Sequence, residues 1–171
     1  SIIEYKISKN IPKYMDDRLY CYPMVRQNYA CFTGVIGLYV PQVANDFIEF
    51  QTTFKTNFPL FISGIGQVKE SKTVKNNIHK LKNQLFVFTK DYITKGSVTL
   101  TYKSDAYFFV DKNEIISQVS KFIDKSYEFF GLKRDVDFLI NYNGFLTKDK
   151  TNIGFGGNGN YAGFNFLGNG S

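Results

Sequence analysis

Val98, Leu100 and Tyr102 alternate with Ser97, Thr99 and Thr101, a period of two that is the plainest pattern along the chain. Successive strand side chains point to opposite faces, so this alternation predicts a half-exposed antiparallel strand. QLFVFTKDY before it and AYFFV after it read as its neighbours, with Lys95–Gly96 and Lys103–Ser104–Asp105 supplying the turns. Ile3, Tyr5 and Ile7 alternate in the same way near the start. LYCYPMV and YACFTGVIGLYV, rich in aromatic and β-branched residues, predict a strand pair kinked or bulged at Pro23, Gly34 and Gly37. PLFISGIGQV reads as one short buried strand, and VDFLINY as another.

Three stretches carry helical spacing instead. Val43, Phe47, Phe50 and Phe54 predict a helix over 42–54, which Asn57–Phe58–Pro59 stops because the residue before proline is pushed away from helical angles. Val74, Ile78 and Leu81 predict a second helix over 72–83, with lysines around the rest of its surface. The longest runs from Lys112 to Phe130. Asp111 caps it, Glu114 three positions on completes a capping box, and Gly131 stands where a left-handed C-terminal residue belongs. Its apolar face is expected to hold Ile115, Ile116, Val119, Phe122, Ile123, Phe129 and Phe130.

Helices interspersed with strands joined by tight turns indicate an α+β fold, a mainly antiparallel sheet with two or three helices packed on it. Residues 1–150 read as the domain and residues 151–171 as an extended Gly/Asn/aromatic C-terminal arm. That arm holds half of the 14 glycines, carries no charge, and contains Phe155, Tyr161, Phe164 and Phe166.

A 171-residue chain with 43% apolar residues is long and apolar enough to bury a core. Its aromatic content is unusual in kind, with 18 Phe, 12 Tyr and no Trp, which serves cores and interfaces alike. The net charge of +6 favours acidic or phosphate-bearing partners. No apolar run is long enough for a membrane helix, and the N-terminus lacks a signal peptide's hydrophobic block, so the expected location is intracellular or within a virion.

The catalytic inventory is sparse. Cys21 and Cys31 make neither a disulfide framework nor a zinc site; buried free thiols are expected over a Cys21–Cys31 bridge. His79 is the sole histidine, set among lysines, and reads as solvent-facing rather than as a triad base. Asp135 and Asp137 lie two apart in a predicted strand and are the best cation-holding pair, although no further acidic ligand flanks them. Gly154–Phe–Gly156–Gly–Asn–Gly159 spells G-x-G-x-x-G, but a dinucleotide turn must open a helix, and NYAGFNFLGNGS is too glycine-rich to form one. No cofactor, no metal and no catalytic residue is therefore expected. Lys69, Lys72, Lys75, Lys80 and Lys82 fall within fourteen residues, opposed only by Glu70; Lys72, Lys75 and Lys82 would flank the solvent face of the predicted helix and touch nucleic acid or an acidic partner.

PLFISGIGQVKES, then SDAYFFV, then a helix ending FFGLKRDVDFLIN together resemble the core of the class II aminoacyl-tRNA synthetases. Where that family carries a second-motif arginine this chain has Lys69–Glu70, and no third, arginine-bearing motif appears before Ser171. The resemblance therefore implies a degenerate relative and transfers no site residue.

Ordering a Gly/Asn-rich tail costs roughly 1–2 kcal/mol of backbone entropy per residue, so an ordered tail requires compensating contacts. Phe155, Tyr161, Phe164 and Phe166 are its groups with large area to bury, against the chain's own surface or against another subunit. The expectation is a non-enzymatic structural subunit of a larger oligomer, a virus or phage particle component, whose partners are copies of itself or other subunits, with no membrane. Nucleic-acid binding through 69–82, or a degenerate class II synthetase-like domain, is the alternative.

Overall fold

The computed structural model describes residues 24–26, 28–38, 45–104, 106, 108, 110–132, 136–143 and 153–170. In chain order these form β1 (Met24–Arg26), β2 (Tyr29–Thr33), α1 (Gly34–Gly37), β3 (Phe50–Lys55), β4 (Leu60–Ile62), β5 (Gly66–Val68) and β6 (Ser71–Asn76). Next come α2 (Ile78–Asn83), β7 (Leu85–Thr89), β8 (Tyr92–Lys95), β9 (Val98–Tyr102), α3 (Lys112–Phe129), β10 (Phe138–Asn143), β11 (Ile153–Asn160) and β12 (Gly163–Gly170). The class is α+β with strands dominant and pairings mostly antiparallel.

The first sheet runs β1-β2-β7-β4-β5 and is antiparallel throughout. The second runs β11-β12-β10-β9-β8, with antiparallel outer pairs and parallel pairing of β10 to both β9 and β12. A separate ribbon pairs β3 with β6.

Strand alternation decides what lies between these layers. On the first sheet, Leu60, Ile62 and Phe86 face the ribbon and α2, packing with Leu81, Phe50, Phe54 and Val74. The opposite face presents Phe61, Leu85, Val87, Tyr29 and Cys31 to Leu139 of the second sheet. Val98, Leu100 and Ile140 point to the far side of the second sheet and meet Ile116 and Ile123 of α3. The order is thus ribbon with α2, first sheet, second sheet, α3.

The long helix begins as predicted: the Asp111 carboxylate accepts from the backbone N–H groups of Asn113 and Glu114. Gly131 comes just past its end at φ +62°. Its apolar face is narrower than predicted, because Phe122, Phe129 and Phe130 are 72%, 83% and 69% exposed. Phe122 and Phe129 lie about 100–140° around the helix from the buried Ile116–Ile123 stripe, and Phe130 falls beyond the last turn.

The other two predicted helices are strand in part: residues 50–54 of the first lie in β3, and the second divides between β6 and α2. Residues 50–55 alternate half-buried and exposed, and residues 71–76 do the same in reverse register. Phe50 and Phe54, four apart, satisfy a period of two as well as one of 3.6, and Thr52 and Thr53 between them favour the strand. Only Ile78–Asn83 of the second stretch is helical, capped by the Asn77 side chain accepting from Lys80 N–H.

Glycine explains two further departures. PLFISGIGQV is a hairpin rather than one strand, reversing at Gly64 and Gly66, whose φ values are +77° and +82°. After β2 the chain makes one helical turn where the pattern predicts a strand; a Cβ on Gly34 would lie 1.7 Å from the Leu81 carbonyl oxygen, so only glycine fits against α2 there. Ala106, Phe108 and Val110 are not in a strand, although the AYFFV pattern predicts one. Phe108 instead lays its ring against Tyr102 and Tyr142. The predicted strand over 2–7 and Cys21 lie outside the described residues. No helix among the described residues is long and apolar enough to cross a membrane.

Candidate functional site

The tail enters the second sheet. β11 and β12 form a hairpin closing at Asn160↔Gly163 across Tyr161–Ala162, with Ala162 at φ 48°. β12 then pairs along β10 from Leu139↔Gly163 to Asn143↔Leu167. Gly163 is buried at a tight crossing, where an added Cβ would lie 2.8 Å from the Ser63 Cβ and 3.0 Å from the Leu139 carbonyl oxygen. The G-x-G-x-x-G string lies within β11, so it opens no helix.

Asn165 ties the tail to a buried polar cluster. The Asn141 amide donates to its Oδ1 at 2.8 Å and to the Tyr29 hydroxyl at 2.6 Å. The same amide lies 3.3 Å from the Cys31 Sγ, and the Thr101 hydroxyl donates to Asn141 Oδ1 at 3.0 Å. All five side chains are buried. This polar cluster joins β2 of the first sheet to β9, β10 and β12 of the second, so it fixes how the two sheets face each other.

Cys31 in this cluster is a free thiol. Burial pushes its pKa up to about 12, partly offset by the hydrogen bond with Tyr29. A folded-state pKa above the ordinary 9.0 stabilises the protein below pH 9, and the contribution is lost as pH rises toward 12. Stability should therefore fall between pH 9 and pH 12, and a thiol reagent at pH 8 should label Cys31 only as fast as the protein opens. Rapid labelling of the folded protein at this residue would contradict the assignment.

The basic segment and the tail converge on one cleft. Gly64 N–H donates to the Asp137 carbonyl at 2.8 Å, Phe138 N–H to the Ser97 carbonyl at 2.7 Å, and Tyr161 N–H to the Asn83 carbonyl at 2.9 Å. These bonds bring the β4–β5 turn, the entry to β10, the start of β9 and the β11–β12 turn around a cavity of about 520 Å³. Lys72, Lys75, Lys80, Asp137 and Tyr161 line it.

The lysines do not share one solvent face as the predicted helix required. Lys72 takes the half-buried side of β6 and donates to the Ile65 carbonyl. Lys75 is on the exposed side. Lys82 leaves the group altogether, pairing with Asp46 at 2.5 Å. Lys80, not singled out from the sequence, sits 5.4 Å from the centroid of the Tyr161 ring. His79 is exposed, as expected, and stacks on Phe47 at 4.8 Å. Asp137 lies before β10 rather than within a strand, and Asp135 is outside the described residues.

Among the tail's four aromatics, Tyr161 reaches Lys80 and comes close to Gly64, while Phe164 is half-buried and opposite Ile140 in register. Alternation sets Phe164 on the sheet face away from Asn165. Backbone register places Phe155 opposite Gly168 and Phe166 opposite Tyr142; their side chains lie outside the described residues.

β11 is an edge. Among the described residues no strand pairs with its outer side. It spans 8 residues without a charge or a proline. The other edges are short or charged: β1 and β5 have 3 residues each, β8 has 4 and ends on Lys95, and β3 and β6 both carry lysine. Sheet proteins commonly blunt their edges with charge, proline or brevity, and β11 has none of these.

Compared with protein-family models and with curated proteins, the chain matches neither any family model nor any curated sequence.

Proposed function

We propose that the protein is a non-enzymatic structural subunit that assembles with copies of itself, of the kind that builds a virus or phage particle. The observation that carries this reading is the outer edge of β11, which pairs with no strand among the described residues. An unpaired row of N–H and C=O groups is a template for another strand, and main-chain hydrogen bonding supplies affinity without side-chain chemistry. The partner strand is β11 of a second copy. Two identical uncharged strands meet antiparallel across a twofold axis with no like-charge cost, joining two five-stranded sheets into one.

In this reading the tail does two jobs. β12 is locked against β10, and β11 is carried outward on it as the interaction arm, with Phe155 beside the pairing edge. The exposed Phe122 and Phe129 on α3 supply a second contact. Around them Lys121, Lys125 and Glu128 are exposed with both signs present, which suits pairing with another α3 across a twofold. One isologous contact closes at a dimer, whereas two distinct contacts let a subunit extend into a larger particle.

Counting back from the closing pair Asn160↔Gly163, alternate residues Gly159, Gly157 and Phe155 direct their backbone groups away from β12. Gly157→Pro therefore removes an outward donor and leaves the hairpin ladder complete. In light scattering the unmodified chain should be oligomeric and Gly157→Pro should be shifted strongly toward monomer, with unchanged circular dichroism. A wild-type chain that stays monomeric at every concentration would count decisively against assembly.

A further inference from the structure

We propose that the cleft between the β4–β5 turn, α2 and the β11–β12 turn binds a phosphorylated sugar of about mononucleotide size. The phosphate lies against Lys72, Lys75 and Lys80, and a sugar hydroxyl lies on Asp137. The cleft belongs to one chain, so the proposal stands or falls independently of self-assembly.

Size comes first. A cavity of about 520 Å³ falls within the roughly 300–1,000 Å³ typical of small-molecule sites. Charge is the second constraint. Three lysines and one aspartate line the cleft, so its formal charge is 3 − 1 = +2. A phosphate monoester carries about −1.5 to −2 at pH 7, which matches that excess, whereas a single carboxylate would leave half of it uncompensated. Among the described residues none of these lysines is paired with a carboxylate, in contrast to Lys82 on Asp46.

The side chains are held in place. Lys72 donates to the Ile65 carbonyl and keeps two ammonium hydrogens for a ligand. Lys80 lies over the Tyr161 ring at 5.4 Å, a cation–π contact that holds the ammonium at the cleft without neutralising it. Asp137 packs over Gly66, where an added Cβ would lie 2.3 Å from its Oδ2.

An ionised carboxylate would repel a phosphate placed beside it. It accepts hydrogen bonds and cannot donate them, so it fits the hydroxyl end of the ligand. Ser97 supplies a neutral hydroxyl on the same wall. The pairing of Lys82 with Asp46 also removes one lysine of the basic segment from any continuous track, which favours a compact ligand over a nucleic-acid strand.

Calorimetric titration of the full chain tests this with three probes: a ribonucleoside 5′-monophosphate, inorganic phosphate and a single-stranded oligonucleotide. The monophosphate should bind saturably and more tightly than inorganic phosphate. Lys75→Gln with Lys80→Gln should weaken it at least tenfold, and Lys75→Gln alone, at an exposed side chain that leaves folding untouched, should weaken it severalfold. Asp137→Asn should weaken the monophosphate while leaving inorganic phosphate binding equal or tighter. No saturable binding, binding indifferent to the lysine changes, equal affinity for inorganic phosphate, or binding of the oligonucleotide alone would each overturn the assignment.

Discussion

Replacing Asn141 with leucine should lower stability by roughly 1–3 kcal/mol, read as a fall in the denaturant midpoint. Asn141 is fully buried, and its amide serves the Tyr29 hydroxyl and Asn165 Oδ1 while its own Oδ1 receives Thr101. Leucine has similar volume, so the loss comes from broken polar contacts rather than from a cavity. A buried polar group left unsatisfied costs roughly 1–3 kcal/mol; Asn165 loses its short bond from this amide, while Tyr29 keeps its hydrogen bond with Cys31. Thr101 is partly spared because its hydroxyl also reaches the Ile140 carbonyl at 3.2 Å. Changing Asn165 to leucine as well should cost less than the sum of the two single changes, since removing both partners leaves fewer orphans. Strictly additive effects would show that the cluster does not act as a unit.

Truncation after residue 150 should abolish the cooperative unfolding transition of the second sheet. The deletion removes β11 and β12, strips β10 of its partner on one side and uncovers Leu139 and Asn141. The expected loss is about 5 kcal/mol or more, comparable with the whole stability of an ordinary domain. Gly163→Val should move in the same direction, because its side chain would press on Ser63 and the Leu139 carbonyl. A truncated chain with the melting temperature of the full one would mean that β12 contributes nothing to the fold.

That expectation differs from the one the tail's composition raises, and the difference shows how far the sequence could be read. Glycine and asparagine score poorly as strand formers, so the tail reads as an arm. Pairing to β10 and the burial of Asn165 override that local preference, and no propensity anticipates a strand held by a partner 24 residues upstream. Phe50 and Phe54 failed differently, their spacing fitting two periods at once; only the ribbon pairing of β3 with β6 decides between them.

Where several independent signals agreed, the sequence was legible. The cap at Asp111, the Ile116–Ile123 stripe and Gly131 all point to one helix, and it is there. The alternation over 97–102 likewise yields β9, with Gly96 at φ +58° in the turn before it, although the strand is largely buried rather than half-exposed and is parallel to β10 as well as antiparallel to β8. The cleft was only half legible. Lys72 and Lys75 stand out as charge, but Lys80 acquires its place from the Tyr161 ring eighty-one residues away. Long-range juxtaposition of this kind leaves no local mark.

Assembly through β11 is tested most directly by amide hydrogen exchange at Phe155, Gly157 and Gly159, compared between dilute and concentrated protein. Pairing with a second copy should protect these three outward amides as concentration rises, while Gly156 and Asn158, already bonded to β12, change little. Exchange at all five that is indifferent to concentration, in a sample that light scattering shows to be oligomeric, would place the contact elsewhere and contradict assembly through this edge.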